Sequence, residues 1–325
     1  MFQTLIMPLL FGFAVFLCGM KLMELALHRL GGPYLNKLIH SATDTPVRGM
    51  TTGAVATAFL QSSTAVTLIS IGMVNAGLLT FPRTLGIILG TNIGTCLTTE
   101  LIGLEIHQLA LPLLVCSILM WLGTVLLAEV GLVSRLQAVG WLDPFRSAAV
   151  ALCGFGLVLS GLSIMQAAGP YVQNSAMFDW FLDKASSNLW WGLVAGAVIT
   201  AAVHSSTAVI GLAMGFAATG VLPAPLGIAI MLGANVGTCM TAVLASIGGS
   251  RAGRLVAVSH IALNVGGALL FMPLVHELSI VSGLLSHTPS SQIARAQTLF
   301  NIVSSLLALP LCYLRILRRL EPIRT

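Results

Sequence analysis

The chain is written twice. Shifted by 143 positions, residues 51–103 align with residues 194–246 without a gap, and 23 of the 53 positions are identical, far more than chance allows. The strongest stretches are GAVATAFLQSSTAV against GAVITAAVHSSTAV and LGTNIGTCLT against LGANVGTCMT. With a one-residue slip the likeness extends upstream, where GFAVFLCGMKLM at 12–23 resembles GFGLVLSGLSIM at 154–165. Each half therefore starts with an apolar helix and proceeds through an SST segment and an NxGTC segment. A repeat of this length requires a fold built from two copies of one unit.

Composition says where that unit folds. Charged residues make up 8% of the chain and apolar residues 57%, against about 25% charged in soluble domains. The 15 Lys and Arg fall between long apolar runs, as loops do between membrane spans. The net charge of +5 carries no sign of nucleic-acid binding, because no basic stripe is interleaved with aromatics; the tail Arg315, Arg318, Arg319 and Arg324 reads as a membrane-surface anchor. Six cysteines form no CxxC pair and read as small apolar packers. A crossing needs about 20 residues. Full spans are expected at 3–27, 108–130, 147–168, 254–275 and 293–314. Segments 84–103 and 227–248 are long enough, but Asn92-Ile93-Gly94-Thr95 and Asn235-Val236-Gly237-Thr238 interrupt them with poor helix formers, so discontinuous helices are expected there.

The apolar stretches 50–60 and 65–76 around the first SST segment are each too short to cross: a dozen residues of helix reach only ~17 Å. Either each pair forms a re-entrant hairpin with the polar tetrapeptide at its tip, or the whole is one long span. The excess of Lys and Arg in cytoplasmic loops favours hairpins. They place 13 basic residues inside and two outside, against 11 and four if both segments span. With hairpins the N-terminus lies outside and the C-terminus inside. Each repeat then crosses three times, an odd number, so the copies insert upside down relative to each other. The expectation is an all-α polytopic membrane protein with two inverted-topology repeats, each with a re-entrant helical hairpin and a discontinuous helix. Repeat one covers about 3–130 and repeat two about 147–275. An extra C-terminal helix lies near 293–314, within a single transport domain over 1–325. Inverted repeats belong to secondary transporters, with the site near the midplane.

Polar clusters at membrane depth are costly and mark function. Here they are Gln61-Ser62-Ser63-Thr64 with His204-Ser205-Ser206-Thr207, and Asn92-Ile93-Gly94-Thr95 with Asn235-Val236-Gly237-Thr238. A hairpin tip offers the N–H groups of the arm that follows it, a ready oxyanion site, and serine and threonine hydroxyls add donors. Asn, Thr and backbone oxygens at helix breaks suit a hard cation such as sodium. A site with almost no formal charge needs co-bound cations to accept a dianion, which gives a motive for coupling. The competing reading, small residues that merely let helices approach, does not account for two duplicated clusters at matched positions. Glu100, whose counterpart is Val243, reads as a solvated residue at the outer mouth. His260 with Asn264 one turn on, and Asn301, are open between packing and substrate contact. No HExxH or GxSxG context and no orienting carboxylate support an enzyme.

At these motifs the sequence resembles the type II sodium/phosphate cotransporter family, specifically its bacterial branch, which carries a QSSS-like motif followed by an NxGT segment in each of two inverted repeats. The matching residues are QSST at 61–64, HSST at 204–207, NIGT at 92–95 and NVGT at 235–238. SHIALN at 259–264 and ARAQTLFN at 294–301 are similar to the family's later helices. The resemblance implies phosphate and sodium binding at Gln61, Ser62, Ser63, Thr64, Asn92 and Thr95, and at Ser205, Ser206, Thr207, Asn235 and Thr238. It places sodium near Ser63, Thr64, Asn92, Ser206, Thr207 and Asn235. His204 replaces the second Gln; its imidazole keeps the hydrogen bond and adds a titratable group. Gln297 stands where relatives often have His. The C-terminal helical regulatory domain of many bacterial relatives is absent before Thr325. The resemblance implies a sodium-coupled inorganic phosphate symporter in a bacterial inner membrane, with a carrier of another small oxyanion or a phosphate exporter as the alternative.

Overall fold

The computed structural model describes residues 2–41, 43–129 and 141–314. Arg135 and the four tail arginines lie outside them. Every element among the described residues is helical, and seven segments are long and apolar enough to cross a bilayer. The chain is a multi-span membrane protein. The expected full spans all recur, the fourth as a longer Arg251–Leu284 segment that continues through a 3-10 turn at Met272–Leu274.

The helices are α1 (Met7–Ser41), α2 (Pro46–Leu60), α3 (Ser63–Asn75), α4 (Phe81–Gly94), α5 (Cys96–Gly103) and α6 (Ala110–Glu129). They continue with α7 (Leu142–Ala167), α8 (Gly169–Gln173), α9 (Ala176–Ser187), α10 (Trp190–Val203), α11 (Ser206–Ala218), α12 (Ala224–Gly237), α13 (Cys239–Ser246), α14 (Arg251–Phe271), α15 (Val275–Leu284) and α16 (Pro289–Ala308). Three pairs of helices, α3/α11, α4/α12 and α5/α13, begin and end at positions related by the same 143-residue shift. Helices α9 and α15 were not expected. Charges (Asp179, Lys184) and aromatics (Phe178, Phe181) share α9, and this mixture hides it from a search for apolar spans.

Two compact units emerge, and they do not follow the repeats. One comprises residues 1–34 and 106–171, the other 35–105 and 172–325. In the first unit α1 and α7 cross on glycines. A Cβ on Gly12 would meet the Gly161 carbonyl oxygen at 2.9 Å, and one on Gly19 would meet that of Gly154 at 2.6 Å. One on Gly154 would meet the Gly19 oxygen at 2.7 Å, and one on Gly161 the Gly12 oxygen at 2.6 Å. The numbers run oppositely, so these helices are antiparallel.

In the second unit α2 packs against α4 the other way. Gly90 faces Met50 and Ala54, and Gly94 faces Ala54 and Thr57, so the two helices run in the same direction. Gly233 against Leu193 and Ala197, and Gly237 against Ala197 and Thr200, repeat this for α10 and α12. The core of the first copy holds Leu60, Val66, Ile71, Ile87 and Ile88, all buried. The copies interlock reciprocally: α5 packs on α11 and α13 on α3, α5 on α16 and α13 on α14, α3 on α14 and α11 on α16. Exchanging the copies, with α14 exchanged for α16, maps each of these contacts onto another.

Candidate functional site

The two tips share one backbone. Helix α2 ends on Gln61 at φ 56°, ψ 27°, and α10 ends on His204 at φ 58°, ψ 26°. Both are left-handed, a region that costs L-residues other than glycine roughly 1–2 kcal/mol. Ser62 (φ −146°, ψ 98°) and Ser205 (φ −145°, ψ 103°) are then extended and cap the helix that follows. Their hydroxyls accept from the N–H of Ala65 at 3.2 Å and of Ala208 at 3.3 Å. Ser62 and Ser205 thus shape the tip, and each hydroxyl that accepts the cap bond keeps its own O–H donor. The hydroxyls of Ser63, Thr64, Ser206 and Thr207 form no hydrogen bond among the described residues, and Ser206 and Thr207 are buried. Four donors at the starts of α3 and α11 are therefore uncommitted.

The copies differ at the residue before the cap. Gln61 donates to the Ala58 carbonyl and accepts from the Thr98 hydroxyl on α5. His204 is exposed, and the counterpart of Thr98, Thr241, donates to its own helix at the Thr238 carbonyl, 2.8 Å away. The first tip is tied to α5; the second has no equivalent tie. No hydrogen bond joins the two tips directly among the described residues.

The NxGT segments depart from expectation. They stay helical through Gly94 and Gly237, and the interruption is confined to Thr95 (φ −62°, ψ −25°) and Thr238 (φ −60°, ψ −26°), whose torsions remain helical. Thr95 donates back to the Thr91 carbonyl at 2.8 Å and Thr238 to that of Ala234 at 3.0 Å. Threonine bonding to its own helix bends it without unwinding it. Asn92 reaches across to Asn264 on α14, Nδ2 to Oδ1 at 3.3 Å, while Asn235 turns back to the Met231 carbonyl at 2.9 Å.

Sequence reasoning left one part of the site open between packing and substrate contact and did not see that its two halves are equivalent. The Cys96 thiol faces the carbonyl of Gln297 on α16, and the Cys239 thiol faces that of His260 on α14. Four residues further on stand Asn301 and Asn264. A pattern His/Gln-x3-Asn thus lies against each NxGTC junction. The signal was present as SHIALN and AQTLFN, but these segments are 37 residues apart and fall outside the 143-residue repeat. All four side chains are buried, and His260 Nδ1, both Gln297 amide atoms and Asn301 Oδ1 have no partner among the described residues. The hydroxyls of Thr57 and Thr200, at matched positions under Gly94 and Gly237, are also orphaned. Buried polar atoms without partners cost about 1–3 kcal/mol each, so a cluster of them marks a place for something polar.

Glu100 is not the solvated residue expected. It pairs with Arg295 and accepts from the Thr298 hydroxyl at 2.5 Å, across the α5/α16 seam. No group of three or more His, Cys, Asp or Glu able to hold a metal occurs among the described residues. The uncommitted oxygens are hydroxyls and amides, the ligand types of hard cations.

The arrangement is duplicated: irregular backbone at Gln61–Ser62 and at His204–Ser205, lined by uncharged donors and acceptors, in a chain with seven segments able to cross a bilayer. The chain belongs to the Na+/Pi-cotransporter family, whose profile matches residues 15–167 and 173–287. It is 33% identical over 299 residues to "Uncharacterized protein YqeW" of Bacillus subtilis, covering 91% of each chain. It is 25% identical to the Escherichia coli "Putative inorganic phosphate export protein YjbB" over 94% of its own length and 53% of that protein, so it spans about half of this relative. A 105-residue stretch is 32% identical to rat "Sodium-dependent phosphate transport protein 2A", covering 31% of this chain and 16% of that one. No solved structure matches the chain.

Proposed function

We propose that the protein is a secondary active carrier that couples sodium flux to the movement of inorganic phosphate by alternating access. The observation that carries this reading is the doubled tip. A left-handed residue and a serine cap start a 13-residue helix twice, with the hydroxyls and backbone N–H groups of Ser63, Thr64, Ser206 and Thr207 uncommitted among the described residues. Helix N-termini and hydroxyls bind phosphate oxygens. Sodium at Ser63, Thr64, Asn92, Ser206, Thr207 and Asn235 would supply the positive charge that a dianion needs at this depth.

The packing supports re-entrant hairpins and inversion. Helices α2 and α4 run in parallel side by side, so α3 must carry the chain back between them; α11 does the same between α10 and α12. Neither α3 nor α11 is long enough to cross. The inversion is supported by α1 and α7: the first helices of the two copies lie antiparallel, with Gly12 on Gly161 and Gly19 on Gly154. Two equivalent helices related by a twofold axis in the membrane plane make that contact. Asn75, at the end of α3, accepts from Ser250 before α14, and near the start of α4 Arg83 and Arg48 flank Asp44. Arg48, Arg83, Arg251 and Arg254 thus gather at one end of this unit, which we assign to the cytoplasm. On this assignment the N-terminus lies outside, the C-terminus is cytoplasmic, and the membrane is a bacterial inner membrane.

A second reading concerns direction. The name of the Escherichia coli relative favours export of phosphate. Radiolabelled phosphate flux in proteoliposomes tests both. An inward sodium gradient should drive uptake, potassium should not replace sodium, and excess sulfate should not compete. Uptake indifferent to sodium would overturn the coupling, and equal competition by sulfate would overturn the substrate. Flux that runs only outward would favour export.

A further inference from the structure

The α5/α16 seam holds two fully buried amides with no structural task. Gln297 and Asn301 are each 0% exposed, and they lie one turn apart on the same face of α16. Gln297 uses neither of its amide atoms, and Asn301 leaves its oxygen unpaired. Among the described residues the sole side-chain bond between them and the protein runs from Asn301 Nδ2 to the Cys96 sulfur at 3.3 Å, a weak acceptor. In a bilayer no bulk water compensates such groups, and leucine or methionine would fill the space without penalty.

The equivalent place in the other copy shows what a completed arrangement looks like. There Asn264 accepts from Asn92 at Oδ1 and donates to the His260 carbonyl at 2.9 Å. Its amide is fully used. The difference between the copies singles out the α16 pair as the one still lacking partners.

We propose that the amide oxygens of Gln297 and Asn301 bind a second coupling sodium ion, beside the Thr95–Cys96 junction and in addition to the sodium placed at the Ser-Ser-Thr tips. The chemistry favours a hard monovalent cation over an anion. The unpaired groups are two carbonyl oxygens against one amide NH2. A cation takes oxygen ligands, and neutral amides let its charge enter without burying a carboxylate. Across the same seam the charges of Glu100 and Arg295 pair with each other. The Asn92 carbonyl, to which Cys96 Sγ donates at 3.6 Å, lies against the same thiol. An ion here would therefore report directly on the first NxGT segment, whose side chain ties α4 to α14. The inference rests on the sodium-coupled reading above.

The test is thermal unfolding of the purified full chain in detergent without phosphate, titrated with sodium chloride against choline chloride at constant ionic strength. Wild type should be stabilised by sodium. Gln297→Met, which keeps volume, should raise the half-saturating sodium concentration about tenfold, the loss of one ligand to a charge. Asn301→Asp should lower it. A variant that fails to fold is identified by a low midpoint in choline, and the aspartate variant then decides, because misfolding cannot tighten sodium binding. Sodium titrations unchanged in both variants, or no sodium stabilisation of wild type, would overturn the site. Sodium stabilisation that weakens in Gln297→Met, in a protein that carries no phosphate, would keep the site and sink the transport reading instead.

Discussion

Substituting Gly90 by alanine tests the parallel packing on which the hairpin rests. The added methyl carbon would sit 2.6 Å from the Ala54 amide nitrogen and 2.9 Å from the Met50 carbonyl carbon. Both are backbone atoms of α2 and cannot rotate away as a side-chain tip would. Ordinary contact demands that the helices part by about 1 Å, and a gap of that order forfeits a quarter to a half of each van der Waals well along the seam. Overpacking of this kind costs about 1–3 kcal/mol, or about 2–12 °C by the scaling for sizeable domains. Gly233→Ala, at the matched position, meets the Leu193 carbonyl carbon at 2.7 Å and the Ala197 nitrogen at 2.9 Å and should cost a similar amount. Gly72→Ala is the control. Nothing lies within 4 Å of a Cβ there, and alanine should be neutral or stabilise α3 by about 0.5–1 kcal/mol. The assay is the unfolding midpoint in detergent for the three variants side by side. If Gly90→Ala unfolds like Gly72→Ala, α2 and α4 do not meet backbone to backbone and the argument for α3 as a returning arm is lost.

Other outcomes follow from the site. Ser62→Ala and Ser205→Ala each remove a helix cap and should cost about 1 kcal/mol while keeping some uptake, whereas Ser63→Ala and Ser206→Ala should spare stability and weaken phosphate uptake; flux and melting measured on the same preparations separate the two effects. Thr98→Val cuts the tie to Gln61, whereas Thr241→Val breaks only a bond within its own helix; flux assays should show the first as the more damaging. Glu100→Gln and Arg295→Met should each destabilise, and the double variant should lose less than the sum, as expected of one coupled pair; additive losses would mean the pair is not formed.

Much of this was legible in the sequence, because a long gapless repeat and extreme apolarity leave few choices. The helix boundaries of the second copy follow those of the first, and the apolar runs give the spans. Three features were hidden for separate physical reasons. The NxGT segments read as broken because Asn, Gly and Thr are poor helix formers alone, yet Thr95 and Thr238 bond back to their own helices and packing on α2 and α10 holds the turn. The cap role of Ser62 and Ser205 was hidden because hydroxyl chemistry is the same in a cap and in a binding site; only the backbone torsion reveals the cap. The equivalence of His260/Asn264 with Gln297/Asn301 was hidden because the two helices are related in space and not by the 143-residue shift. Glu100 read as solvated because its partner, Arg295, lies nearly two hundred residues away.

Cysteine labelling from each side of the membrane tests the upside-down relation of the two copies. In a background with the six native cysteines replaced, Ala76→Cys and Thr219→Cys mark matched, exposed positions in the turns after α3 and α11. An impermeant maleimide should label position 76 from the cytoplasmic side and position 219 from the outside. Labelling of both from one side would mean that the copies share an orientation, and the carrier mechanism built on their opposition would fail.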